Sequence, residues 1–282
     1  MKTKSKKSAK CSPVRAKKRL GQHFLTDASV AERIAYSLAA TEARDVLELG
    51  PGTGMLTQFL LAREDINLHA VEVDAEAAGY LRQRFPELAP RLACCDFLKM
   101  ELAELLPEKF CLIGNFPYNI SSQILFKVLE LRNSIPEVVC MLQQEVAARI
   151  AERPGSKTYG ILSVLLQAYY GIEYLFAVEG QSFAPPPKVR SAVVRLTRNN
   201  VQSLPCDETL FRQIVKTSFN QRRKALRNSL KPLLGDGMEA LAGHHLLDLR
   251  PEQLGIAAFV ELTTAVESLN LNLNLNLQTD AK

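Results

Sequence analysis

The chain has 282 residues, 47% of them hydrophobic and 23% charged, enough to build one large α/β domain with a smaller partner around full cores. No apolar run reaches membrane-spanning length, and the lysine-rich N-terminus is followed by no apolar segment, so neither a spanning helix nor a secretory signal is expected and a cytoplasmic protein is. Six cysteines without C-x-x-C spacing fit reduced thiols and no bound metal.

The formal net charge of +5 is unevenly spread. Residues 2 to 19 hold nine Lys or Arg and no acid, which leaves the remainder with 26 basic against 30 acidic groups. Residues 1–19 therefore read as a basic flexible arm, of the kind that either contacts nucleic acid or is simply solvated.

After the arm, Leu20 to Leu25 reads as an apolar-flanked turn, and Asp27 as the N-cap of a helix running to Ala40. Asp45 to Leu49 is a short buried strand that runs into Gly50-Pro51-Gly52-Thr53-Gly54. A helix follows, with Met55, Phe59 and Leu60 on its inner face. Strand, glycine turn and helix in this order are the context in which a weak glycine pattern becomes a credible cofactor site. A second strand, Leu68 to Val73, carries Glu72, 22 residues after Gly50. A carboxylate at that distance is placed to accept hydrogen bonds from the two hydroxyls of a ribose. A helix over Ala75 to Arg84 and a third strand around Leu92 to Cys95, closed by Asp96, come next.

Phe110 to Ile113 reads as a fourth, buried strand that stops at Asn115-Phe116-Pro117-Tyr118, with a helix starting at Ser121-Ser122. Pro117 cannot continue a strand ladder, so an amide oxygen, free carbonyls and an aromatic ring collect at the end of the strand. Such a group can accept two hydrogen bonds from an exocyclic amine and cover the face of a planar base. An ordinary turn with Tyr118 in the core is the plainer reading.

Glu137 to Gln143 is expected as strand five, followed by a helix through Ile150. A polar loop spans Glu152 to Lys157, a helix Ile161 to Tyr170, and two closing strands Tyr174 to Val178 and Ala192 to Leu196. Between those strands, Pro185, Pro186 and Pro187 stiffen a loop that holds Phe183 either toward the same face or in the local core.

From Asn199 the chain turns to short helices broken by Pro and Gly. Phe219 to Leu230 reads as one basic amphipathic helix, with Leu226 and Leu230 inward and Arg222, Arg223 and Lys224 outward. Four positive groups, Arg227 included, and no acid in twelve residues make it a candidate for RNA phosphate. Leu269 to Leu277 alternates Leu with Asn, a low-complexity extension with strand-like alternation. The expected organisation is an arm over 1–19, a catalytic domain over 20–198, a helical RNA-binding domain over 199–267 and a tail over 268–282.

Seven motifs occur in order: G-Q-H-F-L, E-L-G-P-G-T-G, V-E-V-D, C-C-D-F, G-N-F-P-Y-N-I, S-F-A-P-P-P-K-V-R-S-A-V and F-N-Q-R-R-K-A-L-R-N-S-L. Together they resemble the rRNA adenine N6-methyltransferase family over roughly residues 15 to 265. The likeness is to its small-subunit branch, whose loss gives kasugamycin resistance. The resemblance implies a class I S-adenosylmethionine-dependent methyltransferase fold, Rossmann-like, with a mostly parallel seven-stranded sheet and a small helical C-terminal domain. The implied activity is dimethylation at N6 of two adjacent adenines in a hairpin near the 3′ end of small-subunit (16S) rRNA, on an immature 30S particle, by a monomer.

By motif position, His23 and Leu25 would border the cofactor, and Gly50 and Gly52 would let it approach closely. Glu72 would bind the ribose, Asp96 the adenine amine, and Asn115 would lie beside the sulfonium. Tyr118 and Phe183 would stack on the target base. The family often has Asn at the position of His23 and Leu at that of Phe116. Three other readings stay open: a nicotinamide-dependent dehydrogenase, which leaves Asn115 to Tyr118 unexplained; a resistance-type methyltransferase of large-subunit RNA; and a ribosome-assembly factor in which methylation is secondary.

Overall fold

A computed structural model describes residues 14–100 and 106–279, residues 270–279 by backbone alone. Most of the basic arm, residues 1–13, and the last three residues lie outside it. The described residues fall into two compact units: residues up to Gln144 together with Leu175–Arg195, and Glu145–Tyr174 together with the residues from Leu196 on.

The first unit begins with strand β1 (Phe24–Leu25) and helix α1 (Ala28–Ser37). The Asp27 carboxylate accepts from the amides of Ser29 and Val30, as its N-cap reading anticipates. The helix stops at Ser37, short of Ala40, for a tertiary reason. The buried carboxylate of Glu137 accepts from the amides of Ala39 (3.0 Å) and Ala40 (2.8 Å), and Ala40 adopts a left-handed φ of 52°. Then come β2 (Asp45–Leu49), α2 (Thr57–Leu61), β3 (Asn67–Val71), α3 (Ala75–Arg84) and β4 (Leu92–Ala93), the last shorter than expected. β5 (Cys111–Asn115), α4 (Ser121–Glu130), β6 (Glu137–Gln143) and α5 (Gln144–Ala151) follow.

From Glu145 on, α5 belongs to the second unit, as does α6 (Ile161–Gln167); β8 (Phe183–Ala184) belongs to the first, and β7 (Tyr170–Val178) and β9 (Ser191–Arg198) have residues in both. Tyr170, expected to end the helix, opens the strand instead. The seven-stranded sheet has the order β4-β3-β2-β5-β6-β9-β7, and the pairs from β4 through to β6 are parallel. This is the mostly parallel sheet that the family resemblance implied. β2 and β5 are central and buried on both faces, which explains why they read as continuous apolar runs. A separate two-stranded piece, not foreseen, pairs β1 with β8 antiparallel, Leu25 opposite Phe183.

Within the second unit, α7 (Glu208–Asn220) is capped by Asp207 and buries Phe211, Ile214, Val215 and Ser218. The short helices α8 (Leu226–Ser229), α9 (Lys231–Leu234) and α10 (Gly237–Ala240) lead to α11 (Ile256–Thr279). Two sequence expectations fail in this unit. Phe219 to Leu230 is not one helix: α7 ends at Asn220, and Ala225 is extended (φ −63°, ψ 152°). The cause is long-range, because Leu226 is fully buried and its amide donates to the Leu249 carbonyl at 2.9 Å. The backbone after Leu269 is helical rather than strand-like. The packed stretch carrying Phe259, Leu262 and Val266 supplies the helix nucleus, and adding residues to an existing helix is cheap.

Candidate active site at the ends of the central strands

A cavity of about 540 Å³ opens in the first unit beyond the carboxyl ends of β2, β3 and β5, where ligands bind in open α/β sheets. Its wall includes Gly50, Gly52, Glu72, Asp96 and the whole of Asn115 to Tyr118. Gly50 stands at φ 67°, and a Cβ built on it meets nothing within 4 Å, so a side chain there would project into free space at the end of β2. A group bound there can approach the backbone directly.

Glu72 follows β3 and is 3% exposed. Its carboxylate accepts from the amides of Gly52 (3.0 Å) and Asp74 (2.9 Å), which anchors it to the glycine turn. Burial pushes its pKa above the usual carboxylate value, against the pull of those amides. Glu48 lies underneath, accepting from the Thr57 hydroxyl at 2.7 Å, and burial raises its pKa to about 8. Asp96 closes a turn by accepting from the Leu98 amide at 3.0 Å.

The other wall comes from Arg19 to Phe24. Lys17 holds this segment down through ion pairs to Asp74 (2.5 Å) and Glu76 (3.1 Å). For Asp74, burial alone would raise the pKa, but hydrogen bonds, that of Lys17 foremost, take it below the ordinary range. Within the basic run, Lys17 thus serves the fold.

At the end of β5, Asn115 Nδ2 donates to the main-chain carbonyl of His23 at 2.9 Å. That fixes the amide, and its Oδ1 carries no hydrogen bond among the described residues. Phe116 donates its amide to Met141 O (3.1 Å) and buries its ring completely. The Pro117 carbonyl is taken up by the Ile120 amide (3.1 Å) and that of Tyr118 by the Ser121 hydroxyl (3.3 Å). The Phe116 carbonyl, between them and the strand end, accepts no hydrogen bond from a described residue. The sequence pointed only to a carbonyl near Pro117.

The Tyr118 ring stacks against His23 with centroids 5.6 Å apart at 25°, and its hydroxyl is bonded to Ser191. Burial raises the phenol pKa, so Tyr118 stays neutral. His23 Nδ1 lies 2.8 Å from the Pro185 carbonyl.

Nine expected site residues therefore share one cavity: His23, Gly50, Gly52, Glu72, Asp96, Asn115, Phe116, Pro117 and Tyr118. Leu25 and Phe183 are not on its wall. Strands β1 and β8 turn both side chains into the core, where they are 5% and 4% exposed. Phe183, expected to offer a second stacking face, is thus packed inward. In the second unit, Arg222 is committed to Glu252 (3.2 Å) and to the Ser156 carbonyl (2.9 Å), and Arg227 to Asp248. Arg223 and Lys224 are exposed. Sequence reasoning missed Ser191 and the Pro185 carbonyl, which carried no signal beyond lying in the proline-rich motif.

Comparison with known proteins agrees with this geometry. A family model described as ribosomal RNA adenine dimethylase matches residues 14–259. The chain is 58% identical over 251 residues to ribosomal RNA small subunit methyltransferase A of Parabacteroides distasonis, covering 89% of this chain and 93% of that protein. It is 53% identical over 256 residues to the protein of the same name from Porphyromonas gingivalis, covering 90% and 98%. Among solved structures, a dimethyladenosine transferase from Plasmodium falciparum aligns with a TM-score of 0.76 at 23% identity over 88% of this chain and 98% of the other. The 23S rRNA methyltransferase ErmE aligns at 0.60 and 27% over 86% and 99%.

The shared fold is that of the class I S-adenosylmethionine-dependent methyltransferases, with that cofactor as methyl donor. The cavity fits it: open space above Gly50 for the methionine part and a buried carboxylate at Glu72 for ribose hydroxyls. With the family model matched over most of its length and relatives above half identity, the chain belongs to the ribosomal RNA adenine dimethylase family.

Proposed function

We propose that this enzyme dimethylates N6 of two adjacent adenines in a hairpin near the 3′ end of small-subunit rRNA, acting as a monomer on an immature 30S particle in the cytoplasm. The names of its relatives at 51–58% identity support the small subunit over the large. The observation that carries the chemistry is the locked amide of Asn115, whose nitrogen is spent on His23 so that its oxygen is left as an acceptor.

An adenine N6 amine is a poor nucleophile because its lone pair is delocalised into the ring. Asn115 Oδ1 and the Phe116 carbonyl accept its two hydrogens, draw the nitrogen toward tetrahedral geometry and localise the lone pair. Gly50 and Glu72 would hold S-adenosylmethionine and Asp96 would meet its adenine amine, and the bound cofactor would supply an activated methyl group. Tyr118 covers one face of a base turned out of its helix. Catalysis is then positioning and polarisation by groups already in place, and the proton of the product is lost to water. Arg223 and Lys224 offer RNA-phosphate contacts from the second unit.

The test is primer extension across small-subunit RNA from cells lacking the protein and complemented with wild type or Asn115→Ala. Wild type should restore a strong stop at two adjacent adenines and Asn115→Ala should not. A stop restored equally by both overturns the mechanism, and a stop elsewhere overturns the substrate.

A further inference from the structure

The proline-rich motif contributes to the site through two polar groups, the Pro185 carbonyl and the Ser191 hydroxyl. We propose that Ser191 is a positioning residue: its hydroxyl, with the His23 ring hung from Pro185, holds the Tyr118 ring at the angle at which the target base is received. This rests on the proposed methyl transfer, in which Asn115 accepts from the amine and Tyr118 is the stacking platform.

Ser191 opens β9 and is 0% exposed, and a hydroxyl so placed needs a partner; it has one in the Tyr118 hydroxyl. Tyr118 and Ser191 are 73 residues apart in the chain, so their bond is purely tertiary. A tyrosine side chain turns about two torsions and is anchored by its backbone at one end only. Bonding the hydroxyl at the far tip fixes the ring's plane.

His23 then closes one face, with its ring 5.6 Å from that of Tyr118 and its Nδ1 2.8 Å from Pro185 O. Its own carbonyl bonds Asn115, so stacking ring and amine acceptor are referred to one residue. A base arriving at this platform meets a ring that is already ordered, and no side-chain entropy is lost in the reacting complex. Burial keeps the phenol protonated and able to donate.

The test is a double-mutant cycle with Ser191→Ala and Tyr118→Phe, measured as kcat for methyl transfer to undermethylated 30S particles, alongside cofactor Kd and Tm. Each single variant should lower kcat about 10-fold, the scale of one hydrogen bond, with cofactor Kd unchanged. Ser191→Ala/Tyr118→Phe should lose no more than either alone, because the two hydroxyls act through each other. A kcat within twofold of wild type for Ser191→Ala, or losses that multiply in the double variant, overturns the proposal. So does a kcat loss traced to a lowered Tm and fewer competent sites by cofactor titration. Asn115→Ala run in parallel separates the two readings. If it turns over like wild type, the amine-acceptor reading fails, whereas an inactive Asn115→Ala beside a normal Ser191→Ala removes the clamp alone.

Discussion

The side-chain nitrogen of Asn115 is bonded to the main-chain carbonyl of His23, 92 residues earlier in the chain. A side-chain amide can present either oxygen or nitrogen to a ligand, and this one bond decides which. The consequence is sharp for a substitution that keeps the shape. Asn115→Asp would set a carboxylate oxygen against the His23 carbonyl and remove the only donor of the pair. The expected result is a fall in kcat of about 10²-fold or more with cofactor affinity little changed, measured by labelled-methyl incorporation into undermethylated 30S particles. Retained activity would mean that the lock is irrelevant.

Glu48 predicts a pH dependence of stability. Its carboxyl titrates near 4.5 when unfolded and at about 8 in the fold. The folded state therefore binds more protons across that window, and stability falls as pH rises through it, by at most about 1.4 kcal/mol per pH unit. Glu48→Gln keeps an acceptor for Thr57 without the charge. Between pH 5 and 8 its Tm should decline less than that of the wild type and lie above it at the upper end. Thermal denaturation of the cofactor-free protein checks this; parallel curves would show that Glu48 does not titrate there.

Gly114 is required by close approach. A Cβ there would lie 2.5 Å from the Leu49 carbonyl oxygen, a backbone atom of the neighbouring strand that cannot swing aside. Gly114→Ala should cost about 1–3 kcal/mol and push Asn115, the next residue, off its bond to His23. Activity should fall further than the loss of folded protein accounts for, when kcat is expressed per folded molecule.

The basic residues divide by what they touch. Arg222→Ala breaks a bond to Glu252 and one to the Ser156 carbonyl, so Tm should drop, by about 1 kcal/mol of stability. Arg223→Ala and Lys224→Ala should leave Tm unchanged but weaken RNA binding. Each phosphate left without its cation should flatten the slope of log K against log salt by about 0.7–0.9. Identical salt slopes for wild type and both variants would move the RNA surface elsewhere.

Much of this protein was legible in the sequence because it is locally encoded. Asp45–Leu49, Ala75–Arg84 and Glu137–Gln143 have the bounds that apolar period and capping signals indicate. The glycine turn, Glu72 and Asn115 fall at strand ends, and strands of a parallel sheet open their carboxyl ends to one edge, so these groups had to meet.

What only the tertiary structure decided are matters of pairing between distant segments. The β1–β8 pairing sends Phe183 into the core, although a proline-stiffened loop alone left its direction open. The Leu226–Leu249 bond breaks a stretch whose composition reads as one helix. The Ile120 amide claims the Pro117 carbonyl, leaving that of Phe116 as acceptor, and His23 orients the Asn115 amide. The sequence by itself determined which chemical groups stand at the sheet edge, since period and turn residues are local properties. Which way each group points depends on hydrogen bonds between residues tens of positions apart, and those form only once the chain is folded.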